Sequence, residues 1–428
     1  MQNAYYNIHV LLFMPKYRVL SKHRGYSMLR IRLSVTKAID FVIFCYIESI
    51  YIFSFTTGDI VSKCIALVLM LLLLFYALRQ KKFVLTCFAK IFAAFTSFCL
   101  ISVIWSYDKS AALIKCFTLV QLMIMFILLY NYVKKNNKVR YVIWTLCVTG
   151  TLFAIYIVHY YGLSAYIYGI THGLRMGRDI TNVNKIGMIL SITALIGVWY
   201  VYYEKRKAAW FTIIICVLVS FGTGSKTVIL SLLIGIFTFF ALKAEGIKKI
   251  KSVVQAILLI TLLYNLMRLP AFDLIRHRMD YLMMLFINYG ETDSSTVARL
   301  ELIKAGLNAF FERPFTGVGI GNGIYIAQAA VGKLYYLHNN YVEMLASLGL
   351  FGTIIYYTWY IFPLRRLWIR SKKERDSIAC LVMTMLVVKI FMQIGTIAYT
   401  DKLSYIIIML FFITAEEIKT KRRRIRLL

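Results

Sequence analysis

The chain has 428 residues, of which 60% are hydrophobic and 15% aromatic, and its mean hydropathy is +0.71. A soluble domain of this length could not bury so much apolar surface, so the composition excludes a soluble protein and predicts a polytopic membrane protein. The formal net charge is +31. Its Lys and Arg residues fall in short clusters between apolar segments and not on one soluble module. These clusters are typical of the loops that orient a membrane protein, and they argue against a nucleic-acid partner.

The first 36 residues are predicted to be a basic cytoplasmic arm, because the apolar core at 10–14 is too short for a signal peptide. Twelve apolar segments follow, and we predict an all-α protein with about twelve transmembrane helices. The predicted spans are 37–55, 62–78, 83–104, 112–133, 141–161, 186–203, 208–221, 228–242, 252–267, 338–362, 378–396 and 403–417. The expected organisation is an arm (1–36), nine spans (37–267), an extracytoplasmic helical loop (268–337), three spans (338–417) and a basic tail (418–428).

The distribution of positive charge predicts the orientation of these spans. With the N-terminus inside, the inner segments contain more than twice as many Lys and Arg residues as the outer segments, although they are shorter in total. The positive-inside rule then places both termini in the cytoplasm. The loop at 268–337 and the beginning of the tenth span lie on the outer face.

Two outer segments before the large loop carry unusual polar residues. The loop at 162–185 contains Arg175 and Arg178, followed by Asn182-Val183-Asn184. Positive residues on the outer side run against the topology rule, so we expect a partner there. The turn at 221–227 looks superficially like a phosphate loop, but Ser225 separates Gly224 from Lys226, and the turn joins two membrane helices on the outer face, where ATP is absent.

The large outer loop is predicted to contain two helices. The first mixes charged and apolar residues over 273–285, and the second begins near Ser294 or Ser295 and runs to about Arg313, just before Pro314. Arg299 lies one turn into this second helix. A glycine-rich turn follows at 317–323, whose N–H groups at Gly319 and Gly321 could form an anion nest. The turn lacks the spacing of a dinucleotide fingerprint.

The segment from His338 to Gly352 opens the tenth predicted span. It reads His338-Asn339, nine residues, Gly349, two residues and Gly352. At about 100° per residue, a continuous helix would bring Gly349 to within about 20° of His338. Because glycine lets another backbone approach, we expect this face to pack against a neighbour, with His338 at the mouth of the helix bundle.

This spacing of His-Asn, Gly and Gly resembles the signature of the O-antigen ligase and O-antigen polymerase family of membrane glycosyltransferases. The order of Arg299, a helix, Pro314, the glycine turn and His338 is also similar to that family, as are the Arg and Asn-x-Asn segment and the small-residue turn before Lys226. The resemblance implies a GT-C-like fold. It also implies metal-independent transfer of a glycan, without a cofactor, from undecaprenyl diphosphate to an acceptor hydroxyl outside the cytoplasm.

The resemblance further implies roles for individual residues. An arginine of the Asn-x-Asn segment would hold the lipid diphosphate, and Arg175 has better spacing to Asn184 than Arg178 does. Arginines suit a diphosphate because they contact phosphate oxygens in pairs, and His338 suits the general base that takes the acceptor proton. The expected catalytic residues are His338 and Arg299. The expected substrate-binding residues are Arg175, Arg178, Asn184, Lys226, Gly319, Gly321 and Asn339.

Several alternatives remain open from the sequence. A polymerase is favoured over a ligase because abundant Lys, Ile, Tyr and Phe suggest an AT-rich genome and a bacterium without lipopolysaccharide. Expected partners are the lipid-linked oligosaccharide, the acceptor glycan and the bilayer, with a flippase and a chain-length regulator as further candidates. A metal-dependent transferase would have only Glu291 and Asp293 as a close outer acidic pair. A polysaccharide flippase is the alternative that is not an enzyme.

Overall fold

The structure is a computed structural model that describes residues 26–53, 59–80, 84–243, 248–270, 273, 276–277 and 294–416. Within these ranges every regular element is a helix. The helices are α1 (Tyr26–Ile52), α2 (Asp59–Gln80), α3 (Cys87–Ser102), α4 (Lys109–Lys135), α5 (Val139–Tyr161), α6 (Leu163–Thr171), α7 (Val183–Tyr202), α8 (Ala209–Gly222), α9 (Lys226–Lys243), α10 (Lys248–Met267), α11 (Ser294–Glu312), α12 (Gly323–Val331), α13 (Asn340–Lys372), α14 (Ser377–Met392) and α15 (Lys402–Glu416). A short 3₁₀ turn, Val103–Trp105, extends α3.

Each of the twelve predicted spans coincides with one of these helices. Among the described residues, six helices are long and apolar enough to cross a membrane, namely α2, α3 with its 3₁₀ extension, α4, α5, α7 and α13. The helices α8, α9 and α14 are apolar but shorter. An all-helical polytopic membrane protein is therefore confirmed, whereas the total of twelve spans and the GT-C-like arrangement stay predictions.

The loops predicted to lie outside the membrane contain more helix than the sequence indicated. The second loop helix is confirmed as α11, which begins at Ser294 and ends one residue before Arg313. The helix predicted at 273–285 lies largely outside the described residues. Two short helices, α6 and α12, were not predicted, because each has only nine residues and interrupts what reads as a loop.

The middle of α13 is held in the core by aromatic side chains from two neighbouring helices. The Trp359 ring lies 4.8 Å from Phe92 of α3 and 5.4 Å from Tyr405 of α15, measured between ring centroids. Phe92 stacks on Tyr405 at 4.7 Å. Helices in a membrane associate through such close packing, because lipid supplies little hydrophobic driving force between them. This packing joins α13 to α3 and α15 in the centre of the bundle.

The basic segments predicted to be cytoplasmic lie at the end of the bundle opposite to His338. Ion pairs there join Lys134 to Glu416, Lys138 to Asp40 at 2.6 Å, Arg140 to Glu204 at 2.6 Å, and Arg370 to Asp376. The first three pairs connect the ends of helices that are distant in sequence. Which end of the bundle faces the cytoplasm stays a prediction.

The helix α13 is interrupted at Gly349, whose φ is 61° and ψ is −165°. The interruption leaves helical carbonyl and N–H groups without their usual partners. The carbonyls of Ala346 and Ser347 accept from the N–H groups of Val318 at 2.9 Å and Gly319 at 2.8 Å. The N–H of Leu350 donates to the carbonyl of Pro314 at 2.8 Å. The glycine-rich turn therefore docks into the break, backbone against backbone.

This arrangement confirms the expected close approach at Gly349 but corrects the geometry behind it. A Cβ at Gly349 would lie 2.3 Å from the carbonyl carbon of Phe315. However, α13 begins only at Asn340, and the non-helical Gly349 changes the phase of everything that follows. The helical angle between His338 and Gly349 that the sequence predicted is therefore wrong, because the segment is not one continuous helix.

We predict that Gly349→Ala destabilises the protein by roughly 2–5 kcal/mol, because alanine is strained in this backbone conformation and its methyl group would overlap the Phe315 backbone. The matched control is Gly332→Ala. Gly332 also has a positive φ of 70°, but nothing lies within 4 Å of its Cβ position, so its cost should be about 1–2 kcal/mol. Thermal unfolding of the detergent-solubilised protein measures both. Equal losses in the two variants would contradict the docking of the turn.

Candidate active site

His338 lies in the connection between α12 and α13, with a left-handed φ of 54°. Asn339 follows it as the N-cap of α13, and its side-chain oxygen accepts from the N–H groups of Tyr341 at 2.9 Å and Val342 at 3.3 Å. Such a cap satisfies orphan donors of the first helical turn. The His-Asn pair is therefore a helix start, in which Asn339 caps the helix and His338 projects before it.

Two buried side chains fix the backbone around His338. Asn340 is fully buried, donates to Gln393 Oε1 at 2.7 Å and accepts from the N–H of Ala398 at 2.8 Å, which ties the start of α13 to the residues after α14. Glu343 accepts from the N–H of Leu337, the residue before His338, at 3.3 Å. The sequence analysis did not single out Asn340. The sequence feature that could have identified it is the second of two consecutive asparagines at the head of an apolar span.

The imidazole of His338 is partly buried among aromatic and cationic groups. Its ring centroid lies 4.2 Å from that of Tyr336 and 6.0 Å from that of Tyr335. Burial, and secondly the charge of Arg299, lower the pKa of His338 to about 4. The Nδ1 atom is buried, and no group among the described residues forms a hydrogen bond with it. His338 is therefore a neutral imidazole at neutral pH, which can accept a proton.

Tyr336 connects His338 to the Asn-x-Asn segment. The side-chain amide of Asn182 donates to the Tyr336 hydroxyl, and its carbonyl oxygen caps α7 by accepting from the N–H of Asn184 at 2.9 Å. Burial raises the pKa of Tyr336, although Arg299 and Asn182 oppose that shift. The structure thus links the start of α7 to the histidine. The sequence analysis missed both Asn182 and Tyr336 as contributors to the site.

Three cationic side chains, Arg175, Lys226 and Arg299, lie on neighbouring elements of the fold. Arg175 Nε donates to the carbonyl of Thr223 at 3.3 Å, in the turn that carries Lys226. Lys226 Nζ donates to Thr296 Oγ1 at 3.5 Å. Thr296 lies one turn before Arg299 on α11, and Arg299 is close enough to shift the pKa of His338. Residues more than 160 positions apart thereby form one connected group.

Two other predicted site residues, Arg178 and Asn184, are placed differently. Arg178 is exposed, and within the described residues no hydrogen bond joins it to the turn at Lys226. Asn184 is only 3% exposed. Its side chain accepts from the Ser225 hydroxyl at 2.6 Å and donates to the carbonyl of Gly395 at 3.2 Å. Asn184 therefore holds the turn before Lys226 from inside the protein.

The glycine-rich turn is buried behind the site. The N–H of Gly319 donates to Ser347, and that of Ile320 donates to the Ser102 hydroxyl at 3.2 Å. A Cβ at Gly319 would meet Ser106 Oγ at 1.9 Å, and one at Gly321 would meet Lys115 Cγ at 2.7 Å. The N–H of Gly319 is thus used within the protein, and both glycines allow close packing. A substrate-binding role for Gly319 and Gly321 stays a prediction.

A buried ion network, not predicted from the sequence, lies beside Asn184. Asp401 contacts Lys185 at 3.3 Å and the fully buried Lys389 at 3.8 Å. Burial alone would raise the pKa of Asp401, but the two ammonium groups and Ser404 hold it below its usual range. The network joins α7 and α14 to the residue before α15. Across the part of the chain that the structure describes, no three His, Cys, Asp or Glu side chains are grouped as a metal site would require.

The fold and this group of residues define a polytopic, all-helical membrane protein with cationic side chains around a neutral histidine at one end of the bundle. Residues 211–357 match the family model described as O-antigen ligase, which confirms the family resemblance of the motifs. The match runs from α8 into α13 and includes Lys226, Arg299 and His338. It supports an O-antigen ligase or polymerase type of role, in a family of glycosyltransferase-like enzymes. No significant match was found among curated proteins.

We predict that His338 stays neutral from pH 8 down to about pH 5, because its pKa is about 4. Arg299→Gln should raise that pKa but leave it below 6.5, since burial is the larger cause. The measurement is the pH dependence of diethyl pyrocarbonate modification at His338, resolved by peptide mass spectrometry. Lys304→Gln removes an exposed positive charge from the same helix and should leave the midpoint unchanged. A wild-type midpoint near 6.5 would contradict the burial of the imidazole.

Proposed function

We propose that this protein is a bacterial surface polysaccharide polymerase that transfers a glycan from undecaprenyl diphosphate to the hydroxyl of an acceptor sugar. The reaction would take place on the outer face of the cytoplasmic membrane. The observation that carries the proposal is the placement of three cations near His338. Arg175 bonds the turn that carries Lys226, Lys226 bonds Thr296 of α11, and Arg299 of α11 is close enough to lower the pKa of His338. The three cationic side chains suit an anionic leaving group, and His338 suits the role of proton acceptor.

The cationic side chains match the charge of the lipid diphosphate. Arg175 and Arg299 can each contact two phosphate oxygens, whereas Lys226 supplies a point charge. The bond between the sugar and the diphosphate breaks with charge developing on the leaving phosphate oxygen. Positive groups already in place stabilise that charge without reorganisation. This arrangement supplies the electrostatic part of the reaction from the chain itself, and a metal-independent reaction is therefore proposed.

His338 supplies the proton acceptor. In a single inverting displacement, the acceptor oxygen forms its bond to the anomeric carbon while the diphosphate leaves from the opposite face, and the acceptor proton moves to the imidazole. Arg299 disfavours the imidazolium in the free enzyme. A bound diphosphate would offset that charge and make His338 a stronger base. The base would therefore be strongest when the donor is present.

The alternatives are weighed against the same observation. A ligase that hands a finished glycan to a lipid, protein or wall acceptor would use the same donor site, so only the acceptor separates it from a polymerase. The abundance of Lys, Ile, Tyr and Phe, which suggests a bacterium without lipopolysaccharide, is the reason to favour the polymerase. A flippase needs no proton acceptor beside its cations, so it does not account for His338. The acidic pair of the metal-dependent alternative, Glu291 and Asp293, lies outside the described residues.

The proposed topology follows from the charge of the two ends of the bundle. The end with Lys138, Arg140 and Arg370 would face the cytoplasm together with both termini, and the end with His338 would face outward. A lipid-linked glycan in the outer leaflet could then reach the site. A flippase that delivers the donor and a chain-length regulator remain the expected protein partners.

We predict that His338→Ala lowers glycan transfer by about 10²–10⁴, because the general base is lost. The measurement is the length distribution of undecaprenyl-linked glycan in cells in which the variant replaces the native protein. A single repeat unit left on lipid would identify a polymerase, and full-length glycan stranded on lipid would identify a ligase. His159→Ala, an exposed histidine at the same end of the bundle, is the control and should transfer normally. A normal profile for His338→Ala would remove His338 from the mechanism.

We predict that Arg175→Gln raises KM for the lipid-linked donor roughly 10- to 100-fold, because a charged hydrogen-bonding contact to phosphate is lost. Arg178→Gln is the matched control, since it removes the same charge three residues away from an exposed position, and its KM should stay near that of the wild type. Steady-state kinetics of the purified enzyme measure both values. The opposite ranking would assign the diphosphate to Arg178.

A further inference from the structure

The short helix α6 has an uncharged, exposed apolar face. No charged residue occurs from Gly162 to Leu174. Nevertheless Leu163 is 65%, Ile167 52%, Tyr168 58% and Leu174 55% exposed. A helix that faced water over this length would be expected to carry charges on its exposed side. The absence of charge and the large exposed side chains indicate an apolar or interfacial surrounding.

The opposite face of α6 is anchored to the bundle. Tyr166 is buried, and its hydroxyl donates to the carbonyl of Val219 near the end of α8 at 3.4 Å. Gly169 lies against Met176, since a Cβ there would meet the Met176 sulfur at 2.4 Å. The helix begins directly after α5 ends, at Gly162. α6 therefore lies at the ends of α5 and α8, with only one face packed on the protein.

The exposed face of α6 comes directly after an exposed apolar surface on α5. Leu152, Ile155 and Tyr160 of α5 are also exposed large apolar side chains, and they lead along that helix to the start of α6. α5 is long and apolar enough to cross the membrane. Tyr160 and Tyr168 fall where the spanning helix ends, which is the depth at which tyrosines collect in membrane proteins. The continuity identifies lipid as the partner of α6.

We propose that α6 lies in the interfacial layer of the outer leaflet, with Leu163, Ile167 and Tyr168 in lipid, and that it sets the depth of the cationic group that receives the donor. The assignment to the outer leaflet and to the donor rests on the proposed function. The attachment of α6 to that group is direct. Arg175 follows Leu174 immediately, and the Tyr166 hydroxyl lies 2.3 Å from where a Cβ at Gly222 would be.

The depth of α6 would determine the level in the membrane at which the protein binds the diphosphate. The turn at 222–226 lies between Tyr166 of α6 and the contact of Lys226 with α11. An α6 embedded at the level of the lipid headgroups holds Arg175 and Lys226 at that same level. The diphosphate of a polyprenyl donor also lies there, because its chain occupies the hydrocarbon. The enzyme could then bind the donor without lifting its lipid chain out of the membrane.

The test is a depth measurement on the full chain in nanodiscs of phosphatidylethanolamine and phosphatidylglycerol. A nitroxide is placed at Ile167→Cys in a chain whose accessible cysteines, Cys45, Cys64 and Cys87, are serine. Collision rates with oxygen, which partitions into lipid, and with a water-soluble nickel chelate are compared. Leu152→Cys serves as the lipid control and the exposed Lys333→Cys as the aqueous control. We expect Ile167 to behave like Leu152.

Two results would overturn the proposal. A label at Ile167 that behaves like Lys333 would place α6 in water, and one protected from both reagents would show that a second copy or another protein covers it. Neither result depends on glycan transfer, so failure here is distinct from failure of the proposed function. A kinetic measurement checks the role of depth. Ile167→Asn should raise KM several-fold for a long-chain polyprenyl donor, with kcat unchanged, and should have no effect with a short-chain donor.

Discussion

The site depends on the backbone hydrogen bonds that fill the break in α13. Interrupting a helix at Gly349 frees two carbonyls and one N–H in a bundle where water is scarce, and each would cost several kcal/mol if left unpaired. Val318, Gly319 and Pro314 supply the missing partners from the glycine-rich turn. The turn is therefore held at a fixed height on α13, and α11, which precedes it, is brought beside His338. The glycine-rich turn is therefore a packed support for the start of α13.

The same support explains how a histidine and its cations can be arranged at the end of a membrane bundle. Asn340 and Glu343 hold the backbone on either side of His338, and Asn182 holds Tyr336 against its ring. Burial, and secondly the charge of Arg299, then give the imidazole a low pKa. In the proposed reaction, the anionic donor would neutralise the charge of Arg299 on binding and so strengthen the base.

The contacts divide the residues of the family motifs into those that support the fold and those that could contact the substrate. His338, Arg299, Lys226 and Arg175 are the residues that we propose act on the substrate. Asn184, Asn339 and Gly319 have polar or backbone groups that already form hydrogen bonds within the protein. A motif in one sequence cannot distinguish these two classes, because a residue that supports a site and a residue that binds substrate are equally fixed in spacing. Distances and hydrogen-bond partners make the distinction.

The sequence by itself determined the class of protein, the positions of the twelve apolar helices, the loop helix with Arg299 and the place of His338 at the head of an apolar helix. These follow from local properties, since apolar length, charge clusters and helix-start residues act over a few turns of chain. Only the tertiary structure decided that α13 breaks at Gly349, that Asn182 reaches Tyr336, and that Arg175, Lys226 and Arg299 form one group. Those features arise between segments distant in sequence, where packing and the need to pair every buried polar group override local preference.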